Sequence, residues 1–85
     1  MILFCADKCI WNVENGWYRG TVIKYIAADN KGECSKACCD HPYCGTWTWT
    51  DIDNNCILKK GDDSILMTEG GYWTAIKNES KLIGS

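Results

Sequence analysis

The stretch Glu33–Gly61, ECSKACCDHPYCGTWTWTDIDNNCILKKG, packs five of the chain's seven cysteines into 29 residues and carries an alternating Thr/Trp run. Cys34 and Cys38 stand at i and i+4, so on a helix both sulfurs leave the same face. Gly32 ends the loop before them, helix-tolerant residues follow, and Pro42 stops the segment, which predicts a short helix over Glu33–Asp40. In TWTWT, Thr46–Thr50, Trp47 and Trp49 share one face and the threonines the other, the pattern of a strand half buried on an apolar layer. The tryptophans are expected beneath the helix. DIDNN then turns the chain, and CILK, Cys56–Lys59, returns as a strand.

The order of helix, turn and strand cysteines has a direct geometric solution. Cys38 closes a short loop with Cys44, and Cys34 reaches the returning strand at Cys56. With 21 residues between its ends, the second closure contributes about 3 kcal/mol on the loop-entropy account.

Working outward, WYRGTVIKYIA, Trp17–Ala27, mixes aromatic and β-branched residues with partial alternation and reads as one strand bent at Gly20. GDDS turns the chain after Lys60, and YWTAIK, Tyr72–Lys77, makes a last strand after Gly70 and Gly71. The fold class is α+β: one short helix packed on a curved antiparallel sheet, stapled by disulfides.

A chain of 85 residues makes one domain with a modest core. Seven cysteines at that length read as a disulfide scaffold from an oxidising compartment, so a secreted or extracellular location is expected. Five tryptophans and four tyrosines supply a core around the crosslinks. Net charge is −2 with no basic cluster, which argues against a nucleic-acid partner. The apolar opening MILFC is shorter than a signal-peptide core, and no window approaches the roughly 18 apolar residues of a membrane span. The chain therefore reads as a module of a longer secreted protein, with an N-terminal segment 1–8, the module at 9–77, and a polar tail or linker at 78–85. Asn78-Glu79-Ser80 is an N-glycosylation sequon.

Glu-Cys, three residues, Cys, five residues, Cys, then TWTW and Cys-Ile-Leu-Lys together resemble the PAN/apple family, and YRGTVI, Tyr18–Ile23, resembles that family's first-strand Tyr-x-Gly segment. The resemblance covers Cys9 to Lys77. It implies a single helix cradled by a curved antiparallel sheet, with Cys34–Cys56 and Cys38–Cys44 as the family's shared bridges. Apple domains proper join their ends by a third bridge, and no cysteine follows Cys56 here to make one. Three cysteines are left over. Cys9 is expected to pair with Cys39, leaving Cys5 odd; Cys5 with Cys39 stays open, and the tandem Cys38-Cys39 permits an exchange of roles.

Other chemistries fit the residues less well. Cys34, Cys38, His41 and Cys44 lie close, but only His41 and Cys44 have the two-residue spacing usual within a zinc pair. Asp51, Asp53 and Asn55 imitate half a calcium loop, yet the sixth place is Cys56 and the twelfth Asp62. His41 is the one histidine available to a catalytic cysteine, and its place beside Pro42 suits a solvated or capping role. No enzyme activity, cofactor or metal is expected.

The resemblance implies a binding module whose ligands are carbohydrates in some members and proteins in others. It is similar to modules of apicomplexan micronemal adhesins, which implies a secretory-organelle route, host-cell adhesion and sister modules in the same chain. The partner is then a cell-surface glycan or a protein receptor; a docking or spacer module without glycan binding is the alternative. Trp47, Trp49 and Trp73 read as core. Trp11, Trp17 and Tyr18 are freer to meet a ligand, with Arg19, Asp51, Asp53 and Lys59 as polar contacts or a solvated face.

Overall fold

The computed structural model describes Cys9 and residues 11–77. The segment 1–8, with Cys5, and the tail 78–85, with the Asn78 sequon, lie outside the described residues.

The central strand is β4, Thr46–Thr50. It pairs antiparallel with β5, Asn55–Lys59, on one side and with β7, Tyr72–Ile76, on the other. Beyond β7 lies the two-residue β1, Glu14–Asn15, and beyond β5 lies β3, Val22–Ala27, which gives the sheet order β1-β7-β4-β5-β3. A separate ribbon pairs β2, Trp17–Tyr18, with β6, Leu66–Met67.

The one helix among the described residues, α1, spans Lys31–Asp40, beginning two residues earlier than the sequence suggested. Its start has a local cause: the Asn30 side chain accepts the Glu33 N–H at 2.9 Å, and Glu33 Oε1 reaches back to the Asp29 N–H at 2.9 Å. Gly32, expected to end a loop, therefore sits inside the first turn. At the other end His41 is extended, with φ −90° and ψ 125°, as a residue preceding proline must be. Cys34 and Cys38 are fully buried on the inward face.

Helix and sheet enclose a core of Cys34, Cys38, Cys44, Trp47, Trp49, Cys56, Leu58 and Ala75, with Ala28 at its margin. Trp49 Nε1 donates to Ala28 O at 2.8 Å, so the buried indole N–H is satisfied. Trp49 also lies directly across from Trp73, ring centroids 5.6 Å apart, and Lys31 Nζ sits 4.8 Å from the Trp73 ring. Three disulfides join described residues: Cys34–Cys56, Cys38–Cys44 and Cys9–Cys39. The first holds helix to sheet; the third holds the N-terminal approach to the helix.

The structure changes two sequence expectations. The segment Trp17–Ala27 is not one bent strand: Gly20, at φ +143°, breaks it into β2 in the ribbon and β3 in the main sheet. The Thr/Trp strand is not half buried either, since Thr46 and Thr48 are as inaccessible as Trp47. The ribbon is the reason, because β2 packs against β7 and β4 on the sheet face away from the helix. Gly16 fits between the ribbon's second strand and the sheet: its N–H donates to Tyr72 O at 2.8 Å, and a Cβ there would stand 2.2 Å from Met67 O on β6.

Candidate functional site

Where the ribbon stops, the sheet face stays open and a cleft of about 320 Å³ forms, lined by Trp17, Val22, Tyr25, Thr48, Ile57, Lys59, Glu69 and Tyr72. These residues come from β2, β3, β4, β5, β7 and the turn before β7, so no short stretch of sequence contains the site. Its floor follows from strand register. Thr48 lies opposite Ile57, and Ile57 opposite Tyr25, a row running across three strands on one face.

β3 shows how the chain serves both faces at once. Strict alternation would not put Val22 and Tyr25 on one face, but the ladder slips between Val22 and Lys24, a bulge that adds one residue. Val22 and Tyr25 then both line the cleft, while Ile23 and Ile26 both pack against the core.

Lys59 is the site's most constrained polar group. Only 6% of the residue is exposed, and Nζ donates to Tyr18 O at 2.6 Å. The ammonium also stands 5.4 Å from the Trp17 ring centroid, near enough for a cation–π contribution. Burial pulls the Lys59 pKa below its ordinary value. An ammonium carries three donors. Tyr18 O accepts one of them. On the wall, Trp17 Nε1 donates to Glu69 Oε1 at 2.9 Å, which fixes the indole plane and aims the carboxylate. The cleft thus presents aromatic rings, an ammonium and a carboxylate together.

A latch outside the cleft holds the ribbon in place. The Asp62 carboxylate accepts from the Thr21 N–H at 3.0 Å and the Thr21 hydroxyl at 2.7 Å, and these bonds hold its pKa below the usual carboxylate range. Arg19 pairs with Asp63 at 3.5 Å. Both contacts bind the segment before β6 to the link between β2 and β3.

Of the seven residues named from sequence as candidate ligand contacts, the structure brings only Trp17 and Lys59 together in the cleft. Tyr18 contributes its carbonyl to Lys59, and Arg19 is engaged by Asp63. Asp51 and Asp53 are exposed on the β4–β5 turn and are absent from the cleft lining. Trp11 is not free, since it packs edge-on against Trp47 with centroids 6.0 Å apart. Cys34, Cys38 and Cys44 spend their sulfurs on disulfides, and His41 Nδ1 accepts the Tyr43 N–H at 3.1 Å. Sequence reading missed Val22, Tyr25, Thr48, Ile57, Glu69 and Tyr72. Tyr25 carried a usable signal, as a large aromatic 62% exposed on an edge strand whose inward positions are isoleucine.

A second cleft of about 350 Å³ lies at the end of the sheet, between Pro42–Gly45 and Lys60, Gly61, Ile76 and Lys77. Tyr43 is its one aromatic residue, and backbone and lysine chains make up most of the rest. It offers less recognition chemistry than the Trp17–Lys59 cleft, which faces away from the helix on the open sheet surface.

No curated protein and no solved structure matches this chain. The family model of the PAN domain matches residues 5–78, nearly its whole length, and includes every disulfide-bonded cysteine. The chain belongs to the PAN domain family.

Proposed function

We propose that this PAN domain is a non-catalytic module of a secreted adhesive protein that attaches to cell-surface carbohydrate through the Trp17–Lys59 cleft. PAN domains are a family of extracellular binding modules, typically disulfide-rich and generally non-catalytic. The observation that carries the carbohydrate reading is the convergence of Trp17, Tyr25 and Tyr72 with the Lys59 ammonium and the Glu69 carboxylate in one cleft. Aromatic faces take the apolar C–H surface of a sugar, while fixed donors and acceptors take its hydroxyls. Host-cell adhesion and sister modules in the same chain are part of this proposal, because weak single sites gain strength by multivalency.

The experiment is binding of the oxidised module, displayed multivalently, to a broad glycan array with a reduced sample as control. Saturable binding to one sugar class that disappears in Trp17→Ala supports the reading. A blank array from folded protein overturns it and favours docking to a protein receptor. The second reading has its own observation: β3 is a six-residue edge strand with Val22 and Tyr25 exposed, a surface to which a partner strand can add.

A further inference from the structure

We infer that the cleft takes an internal run of a neutral linear glycan laid across the strands, rather than one terminal sugar. This rests on the carbohydrate reading above and narrows it. Tyr72 belongs to β7 and Tyr25 to β3, yet both line the same cleft, so the cavity crosses β7, β4, β5 and β3 in succession. Three inter-strand steps at about 4.8 Å each give a span of about 14 Å. One pyranose ring covers only part of that length.

Register gives the path. Tyr72 is opposite Thr50 on β4, whereas Val22 is opposite Lys59 on β5, and Lys59 is opposite Thr46. The line from Tyr72 to Val22 therefore descends diagonally over the floor of Thr48 and Ile57. Aromatic rings stand at both ends, Tyr72 on β7 and Tyr25 on β3, with Trp17 held between Glu69 and Lys59. Separate stacking surfaces at the two ends suit two different sugar rings of one chain. The Tyr25 end lies on the edge strand, and among the described residues no strand pairs beyond it, so a polymer can leave the cleft there.

The charge balance specifies neutrality. Lys59 and Glu69 both line the cleft, one ammonium against one carboxylate. Hydroxyl groups accept from the first and donate to the second. A uronate or sulfate would gain the ammonium but face the carboxylate.

The test is titration of the single module with neutral β-linked galactose, glucose, N-acetylglucosamine and mannose series from mono- to tetrasaccharide, followed by calorimetry, for wild type and Tyr25→Ala. For the series that binds, affinity should rise about tenfold or more between mono- and trisaccharide. Tyr25→Ala should flatten that rise, so that tri- and tetrasaccharide bind no more than about twofold more tightly than the monosaccharide does to the same variant. Tyr25 is exposed and outside the core, so the variant should fold. Equal affinity for all lengths overturns this inference and leaves the carbohydrate reading standing, as does tighter binding of a sulfated or uronate-bearing trisaccharide than of its neutral counterpart. Failure of every saccharide, charged or neutral, overturns both.

Discussion

The two faces of β4 differ in what holds them and what they offer. Toward the helix, Trp47 and Trp49 are covered by α1 and tied in by the Cys34–Cys56 bridge, a closed apolar layer drawn mostly from residues 34–58, to which β7 adds Ala75. Away from it, Thr46, Thr48 and Thr50 lie under a ribbon that begins near residue 17 and ends near residue 67. The helix face carries stability, since its groups are apolar or covalently joined. The ribbon face is the one we propose for recognition, since it keeps a charged lysine, a carboxylate and aromatic edges beside open space. On that proposal, dividing these tasks between two faces of one strand lets the binding side vary without loosening the core.

That division can be broken by mutation, and the largest effect is expected on the helix face. Trp47→Ala removes the largest fully buried side chain and should cost about 3–5 kcal/mol in urea unfolding. Replacing Cys34 and Cys56 together by alanine should cost about 3 kcal/mol, read as a lower urea midpoint. Equal stability of either variant with wild type would mean that the helix face is not the stabilising side.

Effects on the ribbon face should separate binding from folding. Lys59→Met keeps the aliphatic stem and removes the buried charge. It should abolish glycan binding while changing stability at neutral pH by no more than about 1 kcal/mol. Its pH dependence has a definite sign. Because burial lowers the folded-state pKa of Lys59, wild type should gain stability relative to Lys59→Met as pH rises from that lowered value toward 10.5, and no further above it. Parallel curves across that alkaline window would place Lys59 in water.

The smallest effect belongs to the latch. The Asp62 carboxylate has a folded pKa below its ordinary 3.8, so its contribution is present above that value and lost as pH falls through the lowered one. Asp62→Asn should be slightly less stable than wild type at neutral pH, with the difference closing in acid. A difference that persists in acid would assign the effect to lost geometry instead of lost charge.

The helix face was the legible one. Cysteine spacing, the TWTWT alternation and Pro42 are local signals, and each acts within a few residues of itself. The Asn30 and Glu33 capping pair was equally local, but Gly32 between them reads as a loop residue and hid the first turn. The ribbon face was not legible for the opposite reason. Trp17 meets Glu69 across 52 positions, and β6 is only two residues long, too short for periodicity to show. Lys59 misleads as well: a lysine alternating with the core residue Leu58 announces solvent, and only a ribbon formed elsewhere covers it. Trp11, conversely, looked free because its partner Trp47 lies far along the chain.

The most direct test of the account is nuclear magnetic resonance of the isotope-labelled oxidised module titrated with the tightest-binding array glycan. The account predicts shift changes concentrated at Trp17, Tyr25, Lys59, Glu69 and Tyr72, with the amides of Lys31–Asp40 unmoved. Changes centred instead on α1, or on Tyr43, Lys60 and Lys77 at the end of the sheet, would contradict it.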